Sequence, residues 1–445
     1  MNLFARFSSK GNSIPAAVKL PAAGVYHFLR ETPEEKSRLH LRIDKDGSGL
    51  LIINANRVFH LNPSAAAMMF LALNHTADQQ AAQILHKHFN APKETLFTDY
   101  QTLNGQLEAL VSNEACPICE LDLETTMPFS STPSAPYRMD LAITYRCNNA
   151  CAHCYNARSR NYPELTTQEW FKVLDDLWKI GIPHIVFTGG EPTLRDDLPD
   201  LIKHAESNGQ ITGINTNGRR LKDPVFLSKL VDAGLDHVQI TFESNQPEIH
   251  DQMVCHSGAW QETLAGLKNV LETRLYVMTN TTMLTINAHT IPGTLKFLGE
   301  LGLKTVGLNA LIYSGQGATV GTGLSENELE PILTNAKEIT QSYNQKLIWY
   351  TPTQYCNFDP VQMNLGVKGC TAALYNMCIE PDGAVIPCQS YYQSLGNFLT
   401  TPWDNIWNHD LALSLRERRN LPTKCNNCSL LTECGGGCPL TNKVH

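Results

Sequence analysis

"CNNACAHC", residues 147–154, puts Cys147, Cys151 and Cys154 on one short loop. Three close thiols leave the fourth place of a tetrahedral zinc site unfilled, whereas structural zinc sites are closed by four ligands. They do suit a metal centre with one open position. His153 is the only other ligand type in the stretch, and it adjoins Cys154. Zinc ligands are normally spaced by two to four residues, so a zinc knot of Cys147, Cys151, Cys154 and His153 is disfavoured. The loop follows the strand-like "MDLAIT", residues 139–144. A ligand loop at the carboxyl end of a strand is where parallel α/β folds build their sites.

From that strand onward the chain alternates. Further strands are expected at "HIVFTG" (184–189), "ITGINT" (211–216), "HVQITF" (237–242), "YVMTNT" (276–281) and "TVGLNA" (305–310), with helix-periodic stretches between them. Repeated strand–helix units imply a parallel sheet with crossover helices. Six units are too few for a closed eight-stranded barrel, so the expected fold class is α/β, a partial (β/α)6 TIM-like barrel over residues 136–345. Upstream, residues 1–112 hold four short strand patterns and then three helical ones, an α+β unit. Residues 113–135 are polar, aperiodic and rich in Ser, Thr and Pro, and read as a linker. Residues 346–445 are cysteine-bearing loops.

Composition narrows the function classes. The chain has 445 residues, 42% of them hydrophobic, and a formal net charge of -8. An acidic balance argues against nucleic acid as the main partner. No apolar run spans a membrane, and the start "MNLFARFSSKGNS" lacks an export signal, so a cytoplasmic location is expected. There are 14 cysteines. In a chain with no export signal such a number points to metal or redox chemistry rather than disulfides. They are bunched: Cys116 and Cys119; Cys147, Cys151 and Cys154; Cys356, Cys370, Cys378 and Cys388; Cys425, Cys428, Cys434 and Cys438. Only Cys255 is solitary.

CNNACAHC, followed by the aromatic Tyr155, resembles the cluster-binding signature of the radical S-adenosylmethionine superfamily. Three further pieces agree in order: "GGEP" (Gly189, Gly190, Glu191, Pro192) after the second strand, "NTNG" (Asn215 to Gly218, with Asn217) at the third, and "QITFES" (Gln239, Thr241, Glu243) on the fourth. Asn309, on the sixth strand, falls where the family packs adenine. The resemblance implies a 4Fe-4S cluster held by the three thiolates and S-adenosylmethionine bound by the strand ends. It also implies reductive cleavage of S-adenosylmethionine to a 5′-deoxyadenosyl radical, with an electron donor such as flavodoxin or ferredoxin.

The tail, Cys370–Gly383–Cys388 and then "CNNCSLLTECGGGC" (425–438), resembles the SPASM domain, which carries one or two auxiliary iron–sulfur clusters. A zinc ribbon is the alternative, although more thiols are present than one such site needs. The resemblance implies a nearer cluster on Cys370, Cys388 and Cys438, with Cys356 or Cys378 as the fourth ligand. It leaves the cluster of Cys425, Cys428 and Cys434 one ligand short. The amino-terminal "GLLIINANRVFHLNPSAAAMMFLALN" resembles the peptide-chaperone domain of pyrroloquinoline quinone biosynthesis, a winged-helix RiPP recognition element. That implies a ribosomal precursor peptide as partner, taken as an added strand. A structural cap or dimerisation module is the plain alternative.

These resemblances lead to an expected peptide maturase that forms a thioether or carbon–carbon crosslink. Peptide-derived cofactor maturation, epimerisation and an electron-transfer role without turnover remain open. Cys255, in "HDQMVCHSGAW", is either a hydrogen-atom donor of the kind an epimerase needs or an incidental small residue. Cys116 and Cys119 are either cluster ligands, a redox pair or neither.

Overall fold

The computed structural model describes residues 20–31, 36–54, 57–111 and 133–441. Nearly all of the expected linker, with Cys116 and Cys119, lies outside them. The described chain divides into two units, one of residues 1–134 with 176–183 and one of residues 135–175 with 184–445.

In the first unit β1 (Gly24–Glu31), β2 (Lys36–Ile43), β3 (Gly49–Ile53) and β4 (Arg57–Leu61) form an antiparallel sheet in chain order. The β2–β3 turn is fixed by Asp46, whose carboxylate accepts from the Ser48 amide at 3.0 Å, and by Gly47 at φ +86°. Three helices follow, Pro63–Leu73, Asp78–His86 and Lys93–Val111. Asn62 caps the first by accepting from the Ala65 amide at 2.9 Å, and Pro63 stands where a missing N–H costs nothing. Leu39, Leu41, Leu51 and Ile53 from the sheet meet Met69, Leu85 and Leu103 from the helices in one buried core. The only polar group Tyr100 brings into it, its hydroxyl, donates to the Thr76 carbonyl at 2.7 Å.

The second unit is built on ten strands in the order β11-β10-β9-β8-β7-β6-β5-β12-β13-β14. Strands β5 (Arg138–Thr144), β6 (His184–Gly189), β7 (Ile211–Thr216), β8 (His237–Thr241), β9 (Tyr276–Thr282) and β10 (Thr305–Asn309) are the six expected from the sequence, all parallel. On β8, Val238 and Ile240 are buried while His237, Gln239 and Thr241 are half-buried, so the polar set lines the inner face.

The sheet does not stop at residue 345. β11 (Lys346–Trp349) joins β10 in parallel, and β12 (Asn376–Ile379) joins the other edge, also in parallel, with Asn376 opposite Arg138. β13 (Ala384–Ile386) and β14 (Gly396–Asn397) add an antiparallel meander. The cysteine-rich tail is thus stitched to the barrel by its own strands. These strands are short and embedded in loops, too brief for alternation to mark them. An eight-residue helix, Pro247–Val254, also escaped the sequence reading.

The amino-terminal strand ends are closed by polar side chains. Arg138 pairs with buried Asp140 at 2.6 Å, and the His184 and His237 Nε2 atoms lie 2.9 Å apart, one donating to the other. Gly213 makes room for this: a Cβ there would sit 1.9 Å from the His237 ring. Burial, and then the charge of Arg138, lowers His237 to about 4. The ring is therefore neutral in the folded state, while the unfolded chain protonates it below about pH 6.5. Stability from this group is complete above that value and is lost as pH falls towards the folded-state pKa, by ~3 kcal/mol in all. Urea midpoints measured at pH 7.5 and pH 5 should show the loss, and His237→Gln should reduce the difference between them.

Candidate functional site

The cofactor loop is positioned by backbone before any side chain acts. The amide of Gly190 donates to the Thr144 carbonyl at 2.7 Å and that of Glu191 to the Arg146 carbonyl at 2.8 Å. GGEP is thereby zipped along the segment that leads from β5 into Cys147. Only glycine permits this approach. A Cβ at Gly189, where φ is +130°, would lie 2.0 Å from the Thr144 oxygen, and one at Gly190 2.4 Å from the Arg146 oxygen.

Glu191 has a bracing role that its motif position did not reveal. It is fully buried. Oε1 accepts from the Thr193 amide at 3.1 Å, the Thr193 hydroxyl at 2.6 Å and the Thr216 hydroxyl at 2.6 Å, while Oε2 accepts from the Asn217 amide at 2.7 Å. Burial raises its pKa and these hydrogen bonds oppose the rise. The carboxylate thus ties the second strand end to the third, and its acceptor capacity is spent within the protein. Asn217 continues the link, its Nδ2 donating to Asn148 Oδ1 at 2.7 Å.

Two arginines outside the motifs hold the cysteine loop. Arg160 donates to the carbonyls of Cys147, at 2.7 Å, and Asn149. Arg219, directly after NTNG, donates to the Asn148 carbonyl at 2.6 Å and to Asn149 Oδ1 at 2.8 Å. Its remaining donors meet His256 at 2.8 Å and Glu262 at 2.6 Å. A basic residue after a turn is too common a pattern to have been singled out from sequence.

His153 anchors the cysteine loop through its ring. Its Nε2 lies 3.0 Å from Glu243 Oε1, and Glu243 Oε2 accepts from the Thr282 amide at 2.8 Å. Glu243 is completely buried, with its own amide donating to His250 Nδ1 at 3.2 Å. Through these contacts Glu243 fastens the end of the cysteine loop to β9.

Among the cysteines of this loop, Cys147 Sγ accepts from the Asn149 amide at 3.4 Å, the hydrogen bond an iron-bound thiolate uses. Burial pushes Cys147 up to about 11, and raises Cys151 and Cys154 as well. A positive cluster would repay that cost of burying thiolates. Asn215 and Gln239 lie opposite one another on neighbouring strands, as do Thr241 and Asn280. Asn280 Oδ1 and Asn309 Oδ1 are buried acceptors with no hydrogen-bond donor. Unmet acceptors on these strands fit a ligand that brings N–H and O–H groups, as the amino and hydroxyl groups of a nucleoside would.

Tyr155 joins the cysteine loop to the tail. Its hydroxyl donates to Gln389 Oε1 at 2.9 Å, linking the residue after Cys154 to the residue after Cys388. Alongside it, Arg158 makes a fork onto buried Glu380 at 2.6 and 2.7 Å. Cys255 occupies a left-handed helix C-cap at φ 50°, exposed, with its thiol donating to the Gln252 carbonyl at 3.4 Å. Its neighbours Met253 and Val254 offer carbonyls to the amides of Ala152 and Ala150, so this cap backs the cysteine loop.

The tail cysteines separate into two sets. Cys370, Cys388 and Cys438 lie near one another: burial raises Cys370, and the charges of Cys438 and Cys388 raise it further. Cys388 is pushed to about 12, first by burial and then by Cys438 among its neighbours. Cys378 is completely buried on β12 in an apolar cluster with Ala142, Tyr145 and Ile386. The segment of Cys356 lies along the loop that carries Cys434, whose Sγ accepts from the Tyr355 amide at 3.4 Å.

A glycine far from any motif also supports the site. Gly266, within helix Ala259–Leu271, packs so closely that a Cβ would stand 2.1 Å from the Gly218 carbonyl oxygen. Gly266→Ala should lower stability by ~2 kcal/mol or more and weaken S-adenosylmethionine binding by displacing the Asn215–Gly218 turn. Calorimetry of the variant with S-adenosylmethionine, alongside a melting curve, checks both effects.

Comparison with known proteins agrees with this geometry. Residues 141–298 match the radical SAM superfamily, and residues 370–429 match SPASM, an iron–sulfur cluster-binding domain. The chain is 30% identical over 327 residues to Fe-coproporphyrin III synthase of Methanosarcina barkeri (strain Fusaro / DSM 804), covering 66% of this chain and 81% of that protein. It is 29% identical over 331 residues to PqqA peptide cyclase of Bradyrhizobium diazoefficiens (strain USDA 110), covering 71% of this chain and 84% of the relative. Among solved structures, Streptococcus suis SuiB bound to precursor peptide SuiA superposes with a TM-score of 0.67 at 16% identity, over 91% of this chain and 95% of SuiB. SuiB bound to S-adenosylmethionine gives a TM-score of 0.68 at 17% identity, over 93% and 96%. No helix among the described residues is long and apolar enough to cross a membrane. Cys147, Cys151 and Cys154 would hold the 4Fe-4S cluster, which supplies the electron that cleaves S-adenosylmethionine, and the tail adds auxiliary iron–sulfur binding. The chain belongs to the radical SAM superfamily and is an enzyme that uses S-adenosylmethionine, with a SPASM auxiliary-cluster domain at its carboxyl end.

Proposed function

We propose that this enzyme modifies a ribosomally made precursor peptide by a net two-electron oxidation that closes a thioether or carbon–carbon crosslink. The observation that carries the reading is the extent of the likeness to SuiB. It spans 91% of this chain, more than the unit from Ala135 onward can supply, so it takes in the amino-terminal sheet and helices. The SuiB structure holds a precursor peptide, and a second relative is a peptide cyclase by name. A four-stranded antiparallel sheet ends in two edge strands, β1 and β4, either of which can accept a leader peptide as an added strand. In this reading residues 1–112 bind the leader and residues 113–135 link them to the barrel.

Within the barrel, Asn215, Asn217, Gln239, Thr241 and Asn309 would orient S-adenosylmethionine, and the GGEP backbone would bind its amino group. A flavodoxin or ferredoxin supplies electrons. Crosslink formation removes two hydrogen atoms from the peptide: one is abstracted as an atom, the other leaves as a proton, and an auxiliary cluster held by the tail cysteines would accept the remaining electron.

One observation favours a second reading. The relative named Fe-coproporphyrin III synthase matches as strongly as the peptide cyclase, which makes a tetrapyrrole the competing substrate class. Anaerobic co-expression with each short reading frame beside the gene, followed by intact-mass measurement, separates the two. Loss of two hydrogens from one peptide, abolished by Cys147→Ala, is the expected result. Unchanged peptide mass with solvent deuterium incorporated would instead indicate epimerisation and direct attention to Cys255. 5′-Deoxyadenosine formed with no change in any peptide would overturn the peptide reading.

A further inference from the structure

We infer that Cys356 is the fourth ligand of the outer auxiliary cluster, completing the set of Cys425, Cys428 and Cys434. The inference rests on the auxiliary-cluster assignment of the tail and not on which substrate the enzyme modifies.

Iron–sulfur clusters are normally held by four thiolates. The run from Cys425 to Cys438 supplies four, but the SPASM resemblance assigns Cys438 to the nearer cluster with Cys370 and Cys388, and both of those thiols feel its charge. That leaves three thiols on the outer loop. The segment Thr353–Cys356 lies against this loop in a specific way. The Tyr355 amide donates to Cys434 Sγ at 3.4 Å, and the Cys434 thiol reaches the Thr353 carbonyl at 3.6 Å. Gln354 Nε2 donates to the Gly436 carbonyl at 3.4 Å. Gly437 is left without a side chain where one is least affordable, since its Cβ would come within 2.9 Å of Gln354 Cγ.

Cys356 follows directly after the residue whose amide sits on Cys434 Sγ. One residue of chain spans about 3.8 Å, which keeps the backbone of Cys356 next to the loop of Cys434. Cys425 Sγ in turn lies 3.8 Å from the Cβ position of Gly436, on the same loop. Cys428 is brought in by the turn in which its amide donates to the Cys425 carbonyl at 3.2 Å. The charge of Cys356 also reaches Cys425. An N–H···S hydrogen bond to Cys434 is the kind of contact that stabilises a cluster ligand. Cys356 and Cys428 are exposed while Cys425 and Cys434 are buried, which describes a cluster at the protein surface with one side open to solvent.

The test uses the full chain, reconstituted anaerobically with iron and sulfide. Iron and labile sulfide are counted, and spectra of the reduced protein are recorded. Cys356→Ala should lower iron by one cluster's worth, matching Cys425→Ala, and the double variant should lose no more than either single one. Cys356→Ser should keep the cluster with an altered electron paramagnetic resonance signal, which a collapse of the fold would not produce. Full iron content with an unchanged spectrum in Cys356→Ala would overturn the inference. So would additive loss in the double variant, because Cys356 would then serve a different cluster. Peptide mass plays no part in these readouts, so a failed peptide assignment leaves them intact.

Discussion

Alanine at Cys147, Cys151 or Cys154 will reduce 5′-deoxyadenosine formation to background, whereas alanine at Cys255 will leave it intact. The physical difference is in how each thiol is held. Cys147, Cys151 and Cys154 share one loop, their pKa values raised by burial, with an amide donated to Cys147 Sγ at 3.4 Å. That loop is clamped by two arginines and by the GGEP backbone. Losing one of three ligands removes the cluster, and with it the source of the electron. Cys255 is exposed and its thiol turns back to its own helix. Chromatographic assay of 5′-deoxyadenosine after dithionite reduction, with circular dichroism as a check on folding, measures the contrast. Cleavage retained in Cys151→Ala would show that the loop is not the cluster site.

The second large effect belongs to Arg219. Its guanidinium is nearly buried and satisfies the Asn148 carbonyl, Asn149 Oδ1, His256 and Glu262 at once. Arg219→Ala leaves those acceptors without their donor and releases the cysteine loop. Removing a buried charge from a hydrogen-bonded network costs roughly 2–5 kcal/mol. The variant should unfold at lower denaturant, hold less iron after reconstitution, and bind S-adenosylmethionine at least ~10-fold more weakly. Arg219→Lys should not rescue it, because a single ammonium cannot serve acceptors placed for a planar fork. Equilibrium denaturation and calorimetry with S-adenosylmethionine decide the matter.

Much of this site was legible before the structure. Cys147, Cys151 and Cys154 at their spacing, followed by GGEP and NTNG at successive strand ends, marked both the parallel sheet and its working end. The six barrel strands fell where alternating and β-branched patterns put them. What the sequence concealed was contact made across long separations. The motif positions of Glu191 and Glu243 say nothing of the protein donors their carboxylates accept from, Thr193, Thr216 and Asn217 for one and Thr282 for the other. Arg160 and Arg219 carry no spacing signal at all. Gly266 is an ordinary helical glycine until the Gly218 carbonyl is seen against it. β11 and β12 are four-residue strands inside loops, too short for alternation to mark the sheet running on beyond residue 345. The resemblance offered Cys356 or Cys378 as a fourth ligand without choosing between them, and the contact of the Tyr355 amide with Cys434 Sγ carries no spacing signal.

The pairing of Tyr155 with Gln389 bears on how the barrel loop and the cysteine-rich tail are joined. Each residue adjoins a cysteine, Cys154 on one side and Cys388 on the other, and one hydrogen bond of 2.9 Å joins them. Arg158 on Glu380 reinforces the same junction. The barrel loop and the nearer auxiliary set are therefore fixed to each other within one unit, which suits an oxidation whose last electron must leave the substrate side.

The most direct test of the peptide-oxidation reading is isotope transfer. A candidate precursor peptide is made with deuterium at its side-chain and Cα positions, incubated with reconstituted enzyme, S-adenosylmethionine and reductant, and the 5′-deoxyadenosine is weighed. Deuterium recovered in 5′-deoxyadenosine, together with a peptide lighter by the two hydrogens lost, is the expected result. Unlabelled 5′-deoxyadenosine from every neighbouring peptide, with turnover stimulated instead by a tetrapyrrole, would contradict it.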